Sequence, residues 1–566
     1  MRLIIREYVS MLKERDELEG LMTDLLFSMN IKPRERPKKG VRQYGVDISA
    51  VGIDPKDKKE KLFILVLKMG NITRSVWDGN PQAIRPSLNE IFDVYINSHI
   101  NKKDSNLPKK IILCSNGELA QEVSANWNGY KDDKNSDNVE LDLWDADEIT
   151  YLVEGNLLNE YLFPEYARKA IRKTLVMLDD PNYDMRHFYD FVLKILHQKG
   201  RKNQKDWVKI LRMLNLCLSL IYVWGRDEDY LKSSLLASER LLLYVWDWMK
   251  KKNFFDKKKI CEEVGKIEIN RRIIFFEYFE KIKKSCFYPD GLFVCGVNKI
   301  EYPLMVFENI GIISCLGLSF VLDWMAADNK TGKEQSEKDV LIVAVSLAAL
   351  INNNKVSFFP LFDWHVNDIS LALILFYRVG RRDVAIDWLC AIFQSIRYAN
   401  GLLKRRPLFS NSYEELSEVE AGKREVEMKS STLLPILLEW IAIFDAEEVY
   451  KQVREMYYEF FKEVNLQIWY PDEQLEDFMY QEDASNFSGS TRHSIVLPEK
   501  FSDFKQQILK DMEQEVDIKS FSFYKYNFLI LSFISSRHFR TPIPPRLWRC
   551  FIGDSGSNKN EENLNT

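Results

Sequence analysis

"YGVDISAVGI", residues 44–53, sets an acidic residue, Asp47, inside a short strand-like run. A carboxylate buried in a strand is costly unless something positive is bound to it. Asp47 therefore either faces water from a strand edge or holds a cation, and the runs around it bear on that choice. Before it, residues 14–29 carry Leu18, Leu21, Met22, Leu25, Leu26 and Met29 at the spacing of an amphipathic helix. After it, "KLFILVLKM" at 61–69 reads as a strand, and Ser87 with Glu90 opens a helix over 87–98 in capping-box spacing. "KKIILCSNG" at 109–117 reads as a buried strand stopped by Asn-Gly, and "NVELDLWDADEITYLVEG" as a last strand and a helix capped by Asp145 with Glu148. Strands alternating with helices predict an α/β domain with a mixed central sheet over residues 1–165.

From residue 166 the strand signals nearly vanish, and 166–550 reads as an all-helical region. "LRMLNLCLSLIYVWGRDEDYLKSSLLASERLLLYVWDWM" predicts two helices joined at Gly-Arg-Asp. "ISLALILFYRVGRRDVAIDWLCAIFQSI" repeats that grammar around Gly380, Arg381 and Asp383, and "LLEWIAIFDAEEVYKQVREMYYEFF" is a looser third version. The units suggest stacked helical hairpins, without the fixed period of a named repeat. Polar stretches at 328–338, 408–428 and 480–495 read as surface loops, and the tail 553–566 as disordered.

A chain of 566 residues exceeds one core. Its 46% hydrophobic and 29% charged residues are an ordinary folding composition, and a net charge of −5 argues against a protein that coats nucleic acid over its whole surface. The eight cysteines form no CxxC and sit mostly in apolar runs, which predicts reduced thiols; the six histidines do not cluster with them, so zinc is not expected. The amino terminus lacks a signal-peptide core. The uncharged run within "NIGIISCLGLSFVLDWM" (309–325) lasts about 14 residues, short of the roughly 20 that span a bilayer. It and "DVLIVAVSLAALI" (339–351) are expected as buried helices of a soluble, cytoplasmic protein with no membrane partner. No Walker A loop, HExxH or GxSxG occurs, and "GDSG" at 553–556 lies in a polar tail without the barrel a serine protease needs.

Asp47 is followed 21 residues later by Lys68, at the end of "LFILVLK". A helix, a strand with an Asp, a turn, and a strand ending in Lys resemble the layout of the PD-(D/E)XK restriction-endonuclease superfamily. The closest likeness is to its Mrr-like branch, with Leu18-Glu19 on the helix and Gly45 and Asp47 in "G-x-D". The resemblance covers about 100–150 residues and implies metal-dependent phosphodiester cleavage of DNA. It implies Asp47 as first ligand of a Mg²⁺ ion, Lys68 as catalytic lysine, and Glu19 as a helix carboxylate near the metal. The position two before the lysine departs from the pattern: it is Val66, which cannot ligate a metal. Asp78 in "RSVWDG" is the nearest substitute ligand; otherwise the site is a relic.

The plain alternative is an Asp47–Lys68 ion pair across two strands. "KPRERPKKGVR" (32–42) supplies Arg34, Arg36, Lys38, Lys39 and Arg42 for a phosphate backbone, and "KDKKEK" (56–61) four lysines. Arg74, Trp77, Gln82 and Arg85 add groups that contact phosphates or stack on bases. Chains that set such a domain before a large helical region look like bacterial anti-phage effectors, the helices docking a protein partner or sensing a trigger. The competing expectation is a degenerate nuclease-fold scaffold that binds nucleic acid or protein without cleavage.

Overall fold

Lys61 to Leu67 form an unbroken apolar run apart from the first residue, and every one of them is buried. A strand buried on both faces must be central and covered by helices on each side. In the computed structural model of the protein that strand, β3 (Glu60–Lys68), lies third in a five-stranded sheet of order β1-β2-β3-β4-β5. Its companions are β1 (Lys32–Glu35), β2 (Ile48–Ile53), β4 (Lys109–Ser115) and β5 (Val139–Trp144). β2 runs antiparallel to its neighbours β1 and β3, while β4 and β5 run parallel to β3. The structure describes residues 2–13, 17–35, 44–101, 103–157, 165–178, 180, 183–197, 203–227, 230–293, 298, 300–327, 329–401, 412–423, 428–480, 489–491 and 495–552.

Alternation along β3 divides the domain into layers. Leu62, Ile64 and Val66 pack with Ile111, Leu113 and Leu141 under α3 (Arg74–Asp78), α4 (Ile84–Glu90) and α6 (Gln121–Lys134); the one-turn helix α5 (Ile96–Ser98) follows α4. Trp77, Leu88 and Trp127 fill the centre of that layer, Trp77 meeting Trp127 and Tyr130 edge-on. Trp77 is 2% exposed, so it anchors its helix and is not a surface for stacking bases. The opposite face of the sheet is covered by α1 (Arg2–Met11), α2 (Glu19–Ser28) and α7 (Ala146–Asn156), with α2 on β1, β2 and α7, and α1 on α7.

Several local expectations hold. Asp145 caps α7 by accepting from the backbone N–H groups of Asp147 and Glu148. The hairpin turns at Val379–Arg381 and Phe444–Ala446 place Gly380 (φ +71°) and Asp445 (φ +53°) in the left-handed region. Others shift. The helix foreseen at 87–98 begins at Ile84, because Ser87 Oγ bonds back to the Ala83 carbonyl (2.9 Å) and caps nothing; residues 91–95 then form a wider π-helical turn. The first part of the basic run, 32–35, is the edge strand β1.

The sheet lies within residues 32–144, and helices prevail from 165 onward. The later strands among the described residues are two- and three-residue pairs, Ser430–Ser431 with Asn465–Leu466 and Trp469–Pro471 with Gly489–Thr491. The chain divides into two compact units, Met1–Leu242 with Asn253–Ile274, and Leu243–Lys252 with Phe275–Thr566. Two helices, Gln204–Asp227 and Glu301–Ala326, are long and apolar enough to cross a membrane, and 67% and 78% of their apolar windows is buried inside the protein. The helix Lys330–Asn353 is buried on one face only: Leu341, Ile342 and Val345 are exposed, against the expectation of a fully buried 339–351. Cys114, Cys217, Cys286 and Cys315 are buried thiols, and Cys261, Cys390 and Cys550 are half-buried thiols.

Candidate functional site

Asp47, Lys68, Arg74, Asp78 and Arg85 lie about the carboxyl end of β3, the end of a parallel strand pair where α/β sheets commonly bind ligands. Asp47 enters β2 through an irregularity. Ile48 is the register partner of Leu65, yet the Asp47 N–H also reaches the Leu65 carbonyl (3.0 Å). Two residues facing one is the signature of a bulge. Alternation slips there, so Val46, not Asp47, joins the layer of Ile64 and Val66. Simple alternation along a pleated strand would set Val46 and Ile48 on one face, but Val46 joins this layer and Ile48 does not. The Asp47 carboxylate is used at the same point: Oδ2 accepts the Leu67 backbone N–H at 2.7 Å. Its charge, after burial, helps push the Cys114 thiol well above its ordinary pKa.

Lys68 ends β3 half-buried and turns its Nζ to the Gln82 carbonyl (3.4 Å), in the loop between α3 and α4. Asp78 ends α3 in the open and pairs with Arg85 (3.1 Å). Glu19 begins α2, in the layer on the other side of the sheet. Val66 is 1% exposed within the core. The four polar candidates are therefore divided: Lys68 and Asp78 with one helical layer, Glu19 with the other, Asp47 at the strand entry. A Mg²⁺ ion asks for converging carboxylate oxygens. Among the described residues no group of three or more His, Cys, Asp or Glu is placed to hold a metal.

The cationic candidates fare unevenly. Lys68, Arg74 and Arg85 lie at or just beyond the carboxyl end of β3. Arg74 is exposed at the start of α3, where its backbone N–H donates to Glu122 Oε1 (3.1 Å). Arg34 on β1 pairs with Asp104 at 3.1 Å. Arg36, Lys38, Lys39 and Arg42 lie outside the described residues. The lysines of 56–61 are at the opposite end of the β2–β3 hairpin, about 20 Å away for a six-residue strand. They do not flank the Asp47 end as the sequence suggests.

That far end holds a charge network that no sequence motif marks. Asp54 Oδ2 accepts from Lys61 and Lys110, each at 2.9 Å, and all three are buried. Lys61 also meets Asp57 (2.8 Å) and Glu140 (2.7 Å), and Lys56 meets Asp142 (2.9 Å). Burial pushes the Asp54 carboxyl up, but hydrogen bonds from Lys61, the Lys56 N–H and Lys110 overcome it and hold the pKa at about 2. The sequence signal was a lysine opening each of two adjacent apolar strands, Lys61 and Lys110, which a buried strand start tolerates only beside an acid.

The second unit has its own buried polar centre, on the helices Glu301–Ala326, His365–Arg378 and Ile530–Phe539. Asp368 is wholly buried, pairs with Arg540 at 3.3 Å, and its Oδ1 has no hydrogen-bond partner among the described residues. Burial, with Glu308 adding to it, outweighs Arg540 and raises the Asp368 pKa to about 7. His365 Nδ1 accepts from the Leu361 N–H (3.1 Å), and burial beside Arg540 drives its pKa well down, so it is neutral. Arg540 stacks on Trp364 at 3.7 Å. Comparison with known proteins adds no relative: no family model, no curated protein and no solved structure matches the chain.

Proposed function

We propose that the amino-terminal domain is a non-cleaving, nuclease-like module that binds nucleic acid through the cationic carboxyl end of its sheet. The observation that carries this reading is Val66. The position where the resemblance asks for a metal-ligating carboxylate is a core side chain at 1% exposure. The Asp47 carboxylate is already engaged by the Leu67 N–H, and Lys68 leans the other way, to Gln82. Lys68 and Arg74, with Arg85 paired to Asp78, bring cationic side chains to the strand ends, suited to phosphate contacts that carry affinity without sequence readout. The cleaving alternative keeps one observation in its favour: Asp47 and Lys68 stand at the same end of two adjacent strands.

The test uses the full chain with linear duplex and single-stranded DNA. Fluorescence anisotropy should show binding that weakens steeply with salt. Lys68→Ala and Arg74→Ala should each flatten the salt slope by about one unit. Incubation with Mg²⁺, Mn²⁺ or EDTA should leave the DNA intact. Mg²⁺-dependent cleavage that disappears in Asp47→Ala would return the domain to the nuclease reading. Absence of binding at low salt would remove the nucleic-acid role altogether.

A further inference from the structure

The ring that the sequence offers for stacking on bases, Trp77, is a core side chain at 2% exposure. Another ring, on a different element, stands exposed in the same layer. His99, just past α5, lies on Tyr44 with ring centroids 4.2 Å apart and planes 19° from parallel. Tyr44 is half-buried and His99 is exposed, so the phenol covers one face of the imidazole and the stack ends in solvent.

Both rings are positioned by the backbone beneath them. The His99 N–H donates to the Tyr95 carbonyl at 2.9 Å, and the flanking Ile96 and Ile100 pack on the layer that holds Trp77 and Leu88. Tyr44 and Gly45 are successive left-handed residues, at φ +50° and +79°. Gly45 sits against the Ser87 carbonyl. Arg85 precedes Ser87 by two residues, about 3 Å along the axis of α4, and Lys68 Nζ reaches the Gln82 carbonyl just ahead of that helix. Tyr44 therefore enters β2 at the end of the sheet where Lys68 and Arg85 stand. A left-handed conformation is uncommon for a bulky residue and costs free energy, whereas glycine takes it freely, as at 45. What a tyrosine adds at 44 is its ring, and that ring backs a histidine at the surface.

A flat ring with one face open, near cationic side chains, suits an unpaired base. The base lies on the ring while its phosphate reaches the charge, and any base can do so because each has a π-face. In a duplex those faces are covered by the neighbouring pairs. We propose that His99, backed by Tyr44, is a stacking platform for an unpaired base, so that the domain binds single-stranded nucleic acid in preference to duplex. The inference rests on the nucleic-acid reading and adds to it a contact that is not electrostatic.

The probes are labelled oligo-dT and a blunt duplex of the same length, titrated into the full chain by fluorescence anisotropy over a series of salt concentrations. Oligo-dT should bind tighter than duplex by about tenfold or more. His99→Ala, at an exposed position, should weaken oligo-dT by about tenfold and by the same factor at every salt concentration, because stacking releases no counterions. His99→Trp, with a larger ring, should hold the wild-type affinity or exceed it. Tyr44→Gly, which suits the left-handed backbone and removes the ring alone, should weaken oligo-dT as His99→Ala does. Duplex bound as tightly as oligo-dT overturns the proposal and leaves the phosphate reading standing. So does oligo-dT affinity unchanged in His99→Ala, or His99→Trp binding as weakly as His99→Ala. A loss in His99→Ala that flattens the salt slope also overturns it, since His99 would then be a phosphate contact. Absence of binding to either probe removes the proposal together with the reading it rests on.

Discussion

At Asp47 a carboxylate replaces a backbone carbonyl. The bulge at the entry to β2 would leave the Leu67 N–H facing away from its strand partner, and Asp47 Oδ2 meets it at 2.7 Å. A buried backbone donor without an acceptor costs about 1–3 kcal/mol. Asp47→Ala should therefore destabilise the sheet-containing unit by about that amount in chemical denaturation, and Asp47→Asn, which keeps an acceptor oxygen, by clearly less. Equal losses in the two variants would show that charge and not the Leu67 bond is what Asp47 supplies. Asp54 is the more exacting case, since two buried ammonium groups depend on it. Asp54→Ala leaves both with weaker company and should cost about 3–5 kcal/mol, the loss typical of breaking a buried pair from one side. Asp47 drew attention in the sequence because it interrupts an apolar run. Asp54 did not, because an acid at a strand end next to "PKDKKEK" reads as an ordinary polar turn, and burial of its partners is a property of the layers above and below.

At the scale of elements, periodicity was sufficient wherever one element could be judged by its own residues. The run 61–69 emerged as β3, 109–117 as β4, and Asp145 as the cap of α7. It failed where a contact from another element set the boundary. Gly45 is such a place. Its φ is +79°, and a Cβ there would come within 2.3 Å of the Ser87 carbonyl on α4. The glycine of the "G-x-D" motif is thus required by the approach of α4, whose start three residues ahead of the capping-box signal brings Ser87 to that point. Gly45→Ala combines backbone strain with a backbone clash and should destabilise by about 2 kcal/mol or more. Thermal melting checks this; a variant as stable as the parent would mean that α4 yields freely. The edge strand β1 was hidden for a different reason. Lys, Pro and Arg are poor strand formers in a core but suit an exposed sheet edge, where charge and proline discourage further pairing.

Across the molecule, the change from alternating strands and helices to helices alone was legible because each half carries its own hydrophobic period. The division into two compact units was not, since it depends on which helices pack together. Each unit buries a carboxylate, and the two respond to pH in opposite ways. Asp54 has its pKa lowered to about 2 from an ordinary value near 3.8. Its stabilising contribution is present above about pH 4 and is lost as pH falls through about 2. Asp368 has its pKa raised to about 7. The folded second unit then holds a proton that the unfolded chain releases, so its stability falls as pH rises from about 4 to about 7 and is level above that. The charges facing Asp368 are Arg540 and Glu308, with Arg537 packed on the same Gly311; His365 is neutral there. Scanning calorimetry should therefore show the transition of the second unit moving to higher temperature between pH 8 and pH 5, while Asp54 contributes no change over that range. Asp368→Asn, close in shape and uncharged at any pH, should remove this dependence and raise the transition at pH 8 towards its pH 5 position. A pH shift that survives in Asp368→Asn would assign the proton to another group. An Asp368→Asn variant that melts lower at pH 8 would show that the Arg540 pair stabilises the unit more than burial of the carboxylate costs it.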